Sequence, residues 1–272
     1  MRVRFLFVLV LTYVSFDRSH AQQSDEVNFQ VGSNASIKDP NIYDSIFYSL
    51  EDALKAPLRV SELSLEGKEL KKFPAVVLTF KNISTLNISY NRIDSIPVNL
   101  FDKCRKLRVI HYAGNELNEI PPTLFHPLLK VLNVSENNLT RIPDGVRRCK
   151  QLEELDLHAN QLTNYPSSSF VLMSLQSLIL SGNPLTTLSP WIMNQPRLKI
   201  LFIDNTKIET LPEELCKVST LRFLNIEENK IKELPACFCE MKKLKIVMVA
   251  GSALSEAKLG ELSRCLPALQ IR

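Results

Sequence analysis

Residues 152–166 read LEELDLHANQLTNYP. Leucines stand at 152, 155 and 157, and an asparagine follows at 160. Leu162 and Tyr165 come next, and Pro166 follows Tyr165 directly. The same pattern recurs at spacings of 22 to 24 residues, with copies that begin at Val60, Ile83, Leu107, Leu129, Leu152, Leu175, Leu198 and Leu221. A ninth, incomplete copy begins at Leu244. Self-similarity at this period predicts a repeat architecture in which each copy forms one structural unit.

The leucine spacing predicts the structure of each unit. Two leucines separated by one residue share one face of a short strand, and the residue between them points to the opposite face. A single unit cannot bury its leucines alone, but stacked units bury them against one another. We therefore expect an α/β solenoid in which every unit contributes one strand to a parallel sheet.

Asparagine recurs at one position after the strand and is expected to stabilise a bend. The predicted structural ladder consists of Asn91, Asn115, Asn137, Asn160, Asn183 and Asn229, whereas Lys68, Thr206 and Ser252 occupy the same position in other units. An amide side chain both donates and accepts hydrogen bonds, so it can pair backbone groups that the bend leaves open. Prolines follow at 74, 97, 121, 143, 166, 212 and 235, where they suit a turn or the first turn of a short helix.

These aligned positions resemble the leucine-rich repeats of about 23 residues that end in Leu-Pro, over residues 60–254. Among such proteins the chain is similar to exported bacterial members. The resemblance implies a curved horseshoe with a concave parallel β-sheet and with short helices or turns on the convex side. It also implies protein recognition as a general class of function.

The two ends of the chain differ from the repeats. Residues 1–21 read as a secretory signal peptide, with Arg2 and Arg4 before an apolar stretch and Ala21 at the cleavage site. A buried helix or a membrane anchor is the alternative, but the stretch is shorter than the ~20 apolar residues that a bilayer requires. We expect a flexible leader at 22–43, and a capping helix at 44–59 that begins with a capping box at Ser49 and Asp52. Residues 255–272 are expected to form a C-terminal cap helix and a last strand.

The cysteines predict no disulfide-rich capping domain. Cys104 and Cys149 occupy apolar positions and are expected to be buried thiols. Cys216 and Cys239 occupy the same position of neighbouring units, so they could form a disulfide or stack as free thiols.

Little in the sequence indicates chemistry. The chain has 33 Lys and Arg against 29 Asp and Glu, which gives a net charge of +4. This small excess of positive charge does not indicate a nucleic-acid-binding protein. There is no nucleophile, phosphate-loop or metal motif, and we expect no enzyme activity, no cofactor and no metal site. His111 and His158 lie on strand positions that point away from the core, where we expect solvated polar side chains.

The strand positions that face away from the core predict a partner site. An apolar group recurs there on four adjacent strands: Ile179, Ile200, Phe202, Phe223, Ile246 and Met248. A mixed polar rim surrounds it: Lys199, Asp204, Arg222, Glu227, Glu228 and Lys245. Nothing in the fold requires these positions to be apolar, and exposed contiguous apolar surface often marks a partner site. The alternative is that strands simply favour β-branched and aromatic residues.

The sequence therefore predicts a secreted, periplasmic or cell-surface protein that binds a macromolecule, most reasonably a protein, through the concave sheet. We expect a monomer without a membrane span in the mature chain. The alternatives are a structural or adhesive surface protein, and an intracellular signalling scaffold if the leader is not cleaved.

Overall fold

The computed structural model describes residues 46–165 and 170–272, which belong to one compact unit, Pro40–Arg272. The predicted signal peptide at 1–21, the predicted leader at 22–43, the first residues of the predicted capping helix and Pro166 lie outside the described residues.

Each of the nine repeat copies forms one strand, as the leucine spacing predicts. The strands are β2 (Glu62–Ser64), β3 (Thr85–Asn87), β4 (Val109–His111), β5 (Val131–Asn133), β6 (Glu154–Asp156), β7 (Ser177–Ile179), β8 (Ile200–Phe202), β9 (Phe223–Asn225) and β10 (Ile246–Met248). Together with β1 (Ile46–Phe47) and β11 (Gln270–Ile271), the described strands pair in chain order into one parallel sheet of 11 strands. In β6, the middle residue Leu155 and the following Leu157 are buried in the core. The fold is the expected solenoid.

Short helices connect the strands on the other side of the core. They are 3₁₀ helices at Ala75–Thr79, Pro122–Leu124, Asp144–Arg148, Glu213–Lys217 and Ala236–Glu240, and single α-helical turns α2 (Leu100–Lys103) and α3 (Pro190–Met193). The repeat prolines 74, 121, 143, 212 and 235 stand directly before the 3₁₀ helices, where a fixed φ suits the entry of a helix.

The asparagines form the predicted ladder. Asn160 is 6% exposed, and its Nδ2 donates to the carbonyls of Val134, Leu157 and His158 at 3.0, 3.0 and 3.1 Å. Its Oδ1 accepts from the backbone N–H of Leu139 at 3.0 Å. One side chain therefore joins two units, and Asn91, Asn115, Asn137 and Asn183 repeat the arrangement.

Thr206 interrupts this ladder. Its hydrogen bonds go to Ile203, Ile208 and Asn229, in its own and the following unit. The bonds to the preceding unit that Asn160 makes have no counterpart among those of Thr206, because a hydroxyl has one proton and a shorter reach than an amide.

The residue before the ladder position adopts a left-handed backbone, which the repeat pattern does not predict. Its φ is 48° at Ala159 and 59° at Gly114. At Gly114 a Cβ atom would lie 2.5 Å from Cδ1 of Tyr90, so this position also needs glycine for space.

The N-terminal cap differs from the prediction of one helix over 44–59. Ile46 and Phe47 form β1, which pairs with β2, and the helix α1 spans only Leu50–Lys55. Its N-cap is Ser49, as expected, whose Oγ accepts from the N–H of Asp52 at 3.1 Å. The start of the cap thus extends the sheet, because Phe47 packs on the core as a strand residue would.

The C-terminal cap is as predicted, but the disulfides are not. The helix α4 spans Glu256–Cys265, and β11 pairs with β10. Cys216 bonds to Cys237 and Cys239 bonds to Cys265, with Cα atoms 6.0 and 5.3 Å apart. Both alternatives for Cys216 and Cys239, a disulfide between them and a pair of free thiols, are therefore wrong, as is the expectation of a cap without disulfides. The reason is the 3₁₀ helix at Ala236–Glu240: residues two apart point in different directions, so one cysteine faces the preceding unit and the other faces α4.

The two remaining cysteines are buried free thiols, as expected. Cys104 and Cys149 are each 0% exposed. Burial raises the pKa of Cys104 to about 11 and that of Cys149 to about 12, so both thiols stay protonated and unreactive at neutral pH.

Candidate binding face of the sheet

The sheet has one face on the core and one face that points away from it, which we call the open face. Strand pairing aligns two columns of side chains on the open face in the predicted register. One column contains Glu62, Thr85, Val109, Val131, Glu154, Ser177, Ile200, Phe223 and Ile246, and the other contains Ser64, Asn87, His111, Asn133, Asp156, Ile179, Phe202, Asn225 and Met248. The residues that were predicted to share a surface are thus neighbours on it.

The apolar cluster, which we define as Ile179, Ile200, Phe202, Phe223, Ile246 and Met248, occupies the C-terminal part of the open face. The ring centroids of Phe202 and Phe223 lie 4.8 Å apart. None of the six residues belongs to the continuous hydrophobic core of the described chain. The cluster is therefore a second apolar layer on the opposite side of the sheet.

The expectation that this whole cluster is exposed is wrong. Phe202 is only 2% exposed and Phe223 8%, and Ile179 and Ile246 are also buried. Side chains on strands about 4.8 Å apart touch laterally, so large neighbours cover one another even without a second layer above them. Ile200 and Met248 remain half-buried and are the accessible apolar part of the cluster.

The residues around the cluster are also more buried than expected. Asp204 is 7% exposed and accepts a hydrogen bond from Ser181 Oγ, and burial raises the pKa of its carboxyl. Glu227 is half-buried, and its backbone N–H donates to Asn225 Oδ1 at 2.9 Å. Arg222, Glu228 and Lys245 are the predicted rim residues that are exposed to a partner.

The centre of the open face carries a polar cluster, which we define as His111, Glu154, Asp156 and His158. Glu154 is 5% exposed and Asp156 is 0% exposed, so the expectation of solvated side chains around the histidines is wrong. Nδ1 of His158 lies 3.5 Å from Asp156 Oδ1, and its Nε2 lies 3.9 Å from Glu136 Oε1. The sequence did show two acids and a histidine at alternate positions, but not that neighbouring strands would bury them.

Burial and neighbouring charges shift the titration of this cluster. Burial, with the charge of Asp156, raises the pKa of Glu154 to about 7. Burial lowers the pKa of His158, but the hydrogen bond and charge of Asp156 outweigh it, so the pKa is raised. Burial lowers the pKa of His111. Oε2 of Glu154 and Oδ2 of Asp156 are buried without a hydrogen-bond partner, which leaves two acceptors for water or for a donor group of a partner.

Glu154 should make the stability of the protein depend on pH. Its pKa rises from 4.5 in the unfolded chain to about 7, so its stabilising contribution is present below about pH 4.5 and is lost as the pH rises through about 7. We expect Glu154→Gln to match the wild type at pH 5 and to raise the free energy of unfolding by about 2 kcal/mol at pH 8. Urea unfolding at both pH values measures this difference.

The titration of His158 acts in the same direction as that of Glu154, because its pKa is also raised, whereas that of His111 opposes it. An equal difference between Glu154→Gln and wild type at pH 5 and pH 8 would show that the Glu154 carboxyl is solvated.

No group of three or more His, Cys, Asp or Glu side chains in 46–165 and 170–272 is arranged to hold a metal ion. No helix in the same ranges is long and apolar enough to cross a membrane.

Comparisons with known proteins find the repeat family. Family models described as leucine rich repeat match residues 82–104, 105–162 and 127–185. Leucine-rich repeat and calponin homology domain-containing protein 1 of Mus musculus is 28% identical over 133 residues, which are 40% of this chain and 19% of the mouse protein. The chain thus matches less than a fifth of the length of that relative.

Solved structures show the same fold. A leucine-rich repeat protein of Leptospira interrogans superposes with a TM-score of 0.63 at 24% identity, over 79% of this chain and 62% of the other. An internalin of Listeria monocytogenes superposes with a TM-score of 0.60 at 13% identity, over 82% and 70%.

Proposed function

We propose, since the chain is a leucine-rich repeat protein, that it is a non-enzymatic binding module that recognises a protein partner through the open face of its sheet. The observation that supports this most is the apolar cluster, which lies on the open face and outside the continuous core. The continuous core lies on the other face of the sheet and includes none of these side chains.

The apolar cluster contains the residue types that are typical of protein interfaces. Aromatic side chains are enriched at the centres of protein interfaces, and a polar rim surrounds them. Phe202 and Phe223 already pack against each other, so little side-chain entropy is lost when a partner covers them. Ile200 and Met248 would make the first apolar contacts, and Arg222 would lie at the rim.

We also propose that the protein acts outside the cytosol. The predicted signal peptide at 1–21 supports this, and so do the two disulfides, because disulfides form and persist in oxidising compartments. A partner recovered from extracellular or periplasmic fluid, rather than from cytosol, distinguishes this proposal from an intracellular scaffold. A structural or adhesive protein would give no saturable partner at all.

The test is a binding titration with a partner recovered in this way. We expect Met248→Glu and Ile200→Glu each to weaken binding about tenfold or more, since a carboxylate must then be desolvated in an apolar contact. Met173→Glu is the matched control, because Met173 is 56% exposed and precedes β7 outside the open face. Equal affinities of all three variants, at unchanged melting temperatures, would place the interface elsewhere.

A further inference from the structure

The residue that follows the first leucine of each unit lies at the edge of the sheet where the strands begin. Backbone hydrogen bonds join these residues from one unit to the next: the N–H of Arg222 donates to the carbonyl of Lys199, and the N–H of Lys245 donates to that of Arg222, both at 2.8 Å. The three residues are therefore adjacent, with a separation of about 4.8 Å per strand along the solenoid.

Basic residues stand at this edge along much of the solenoid, for example Arg105, Lys106 and Arg108 around Leu107, and they are most frequent in the last three units. We define the basic edge as the Lys and Arg residues of the last three units that stand at this position or at the two positions before the leucine: Arg197, Lys199, Arg222, Lys242, Lys243 and Lys245. No acidic residue stands at these positions in the three units. All six are exposed except Lys199, which is half-buried and donates to Gln176 Oε1 at 2.8 Å.

The fold does not account for this arrangement. Like charges on adjacent strands destabilise a sheet, and the whole chain carries a net charge of only +4. Between two earlier units the same column holds charges of opposite sign, since Lys130 forms an ion pair with Glu153 at 3.2 Å. Positive charge thus lines this edge, without an acidic residue in the last three units, and points to an anionic partner.

We propose that the basic edge binds a sulfated polysaccharide. The cations form a line along the solenoid and are spaced as the strands are. This arrangement fits a linear polymer with anionic groups at regular intervals better than it fits a compact anion. Binding would be driven by the release of counterions from the polymer.

Two observations favour a sulfated glycan over a nucleic acid. The disulfides Cys216–Cys237 and Cys239–Cys265 lie in the same part of the chain and indicate an oxidising compartment, where polyanions are mainly glycans. Single-stranded nucleic acids are bound with aromatic side chains between the cations, on which the bases stack. The three edge positions of the last three units carry no aromatic residue.

This surface can be tested separately from the proposed protein interface. The basic edge lies beside the open face and shares Lys199, Arg222 and Lys245 with the predicted rim. The two proposals can fail separately, because Met248→Glu and Ile200→Glu test the protein interface and change no residue of the basic edge.

The test measures binding of a size-defined heparin oligosaccharide to the full chain over a range of salt concentrations. We expect the triple variant Lys242→Ala, Lys243→Ala and Lys245→Ala to bind about tenfold or more weakly and to reduce the slope of log K against log salt by about two. The matched control is Lys68→Ala, Lys71→Ala and Lys72→Ala in the first unit, which removes the same charge from exposed residues.

The proposal is supported if only the basic-edge triple loses affinity and if desulfated heparin does not bind. Equal losses in both triples would show attraction to net charge alone and would overturn it, as would wild-type protein that does not bind heparin. Tighter binding of single-stranded DNA than of heparin of equal charge would assign the edge to nucleic acid instead.

Discussion

Phe202→Glu is expected to lower the free energy of unfolding by about 4 kcal/mol. The ring is 2% exposed and lies 4.8 Å from that of Phe223. The substitution therefore opens a cavity beside Phe223 and places a carboxylate where water cannot reach it. Equilibrium denaturation with urea measures the effect, and Phe202→Leu should cost much less because it keeps the site apolar.

This expectation reverses what the sequence suggests. From direction alone, Phe202 should tolerate a charge, because it alternates with the core leucines. A Phe202→Glu variant that unfolds at the wild-type urea concentration would show that the ring is solvated and that the apolar cluster is open to partners over its full area. Because Phe202 is buried, binding is tested at Ile200 and Met248, whose exposure allows a change without unfolding.

Asn160→Ala is expected to lower the free energy of unfolding by about 3 kcal/mol, the upper end of the range for a buried group that loses its partners. The amide makes four hydrogen bonds across two units, and alanine leaves the N–H of Leu139 and the carbonyl of Val134 without this partner. Urea unfolding measures the difference.

Thr206→Asn is the converse experiment at the gap in the ladder. An asparagine there would regain bonds to the preceding unit, so we expect stability equal to or above that of the wild type. If Asn160→Ala unfolds like the wild type, or if Thr206→Asn is as destabilising as Asn160→Ala, the asparagines do not hold the units together.

The sequence predicted what depends on one unit and its copies. The strand positions of Leu155 and Leu157, the role of Asn160 and the register of the open face all follow from a period that repeats eight times. Such features depend on a single unit or on equivalent positions of neighbouring units, so the repeat pattern predicts them.

What the sequence did not predict depends on how different side chains of neighbouring units meet. The burial of Phe202 follows from the size of Phe223 beside it, and that of Asp156 from its neighbours on β5 and β7. The pairing of Cys239 with Cys265 depends on the direction of each side chain in a 3₁₀ helix, which the 23-residue spacing from Cys216 conceals. The signal peptide and the binding of a protein partner stay predictions.

Site-specific photo-crosslinking tests the central claim most directly. A photoreactive amino acid is placed at Met248 on the open face, or at the exposed Met173 outside it, and each protein is irradiated with the partner bound. Our account predicts an efficient crosslink from position 248, loss of that crosslink in the Ile200→Glu background, and little or none from position 173. A crosslink from position 173 without one from position 248 would contradict recognition through the open face.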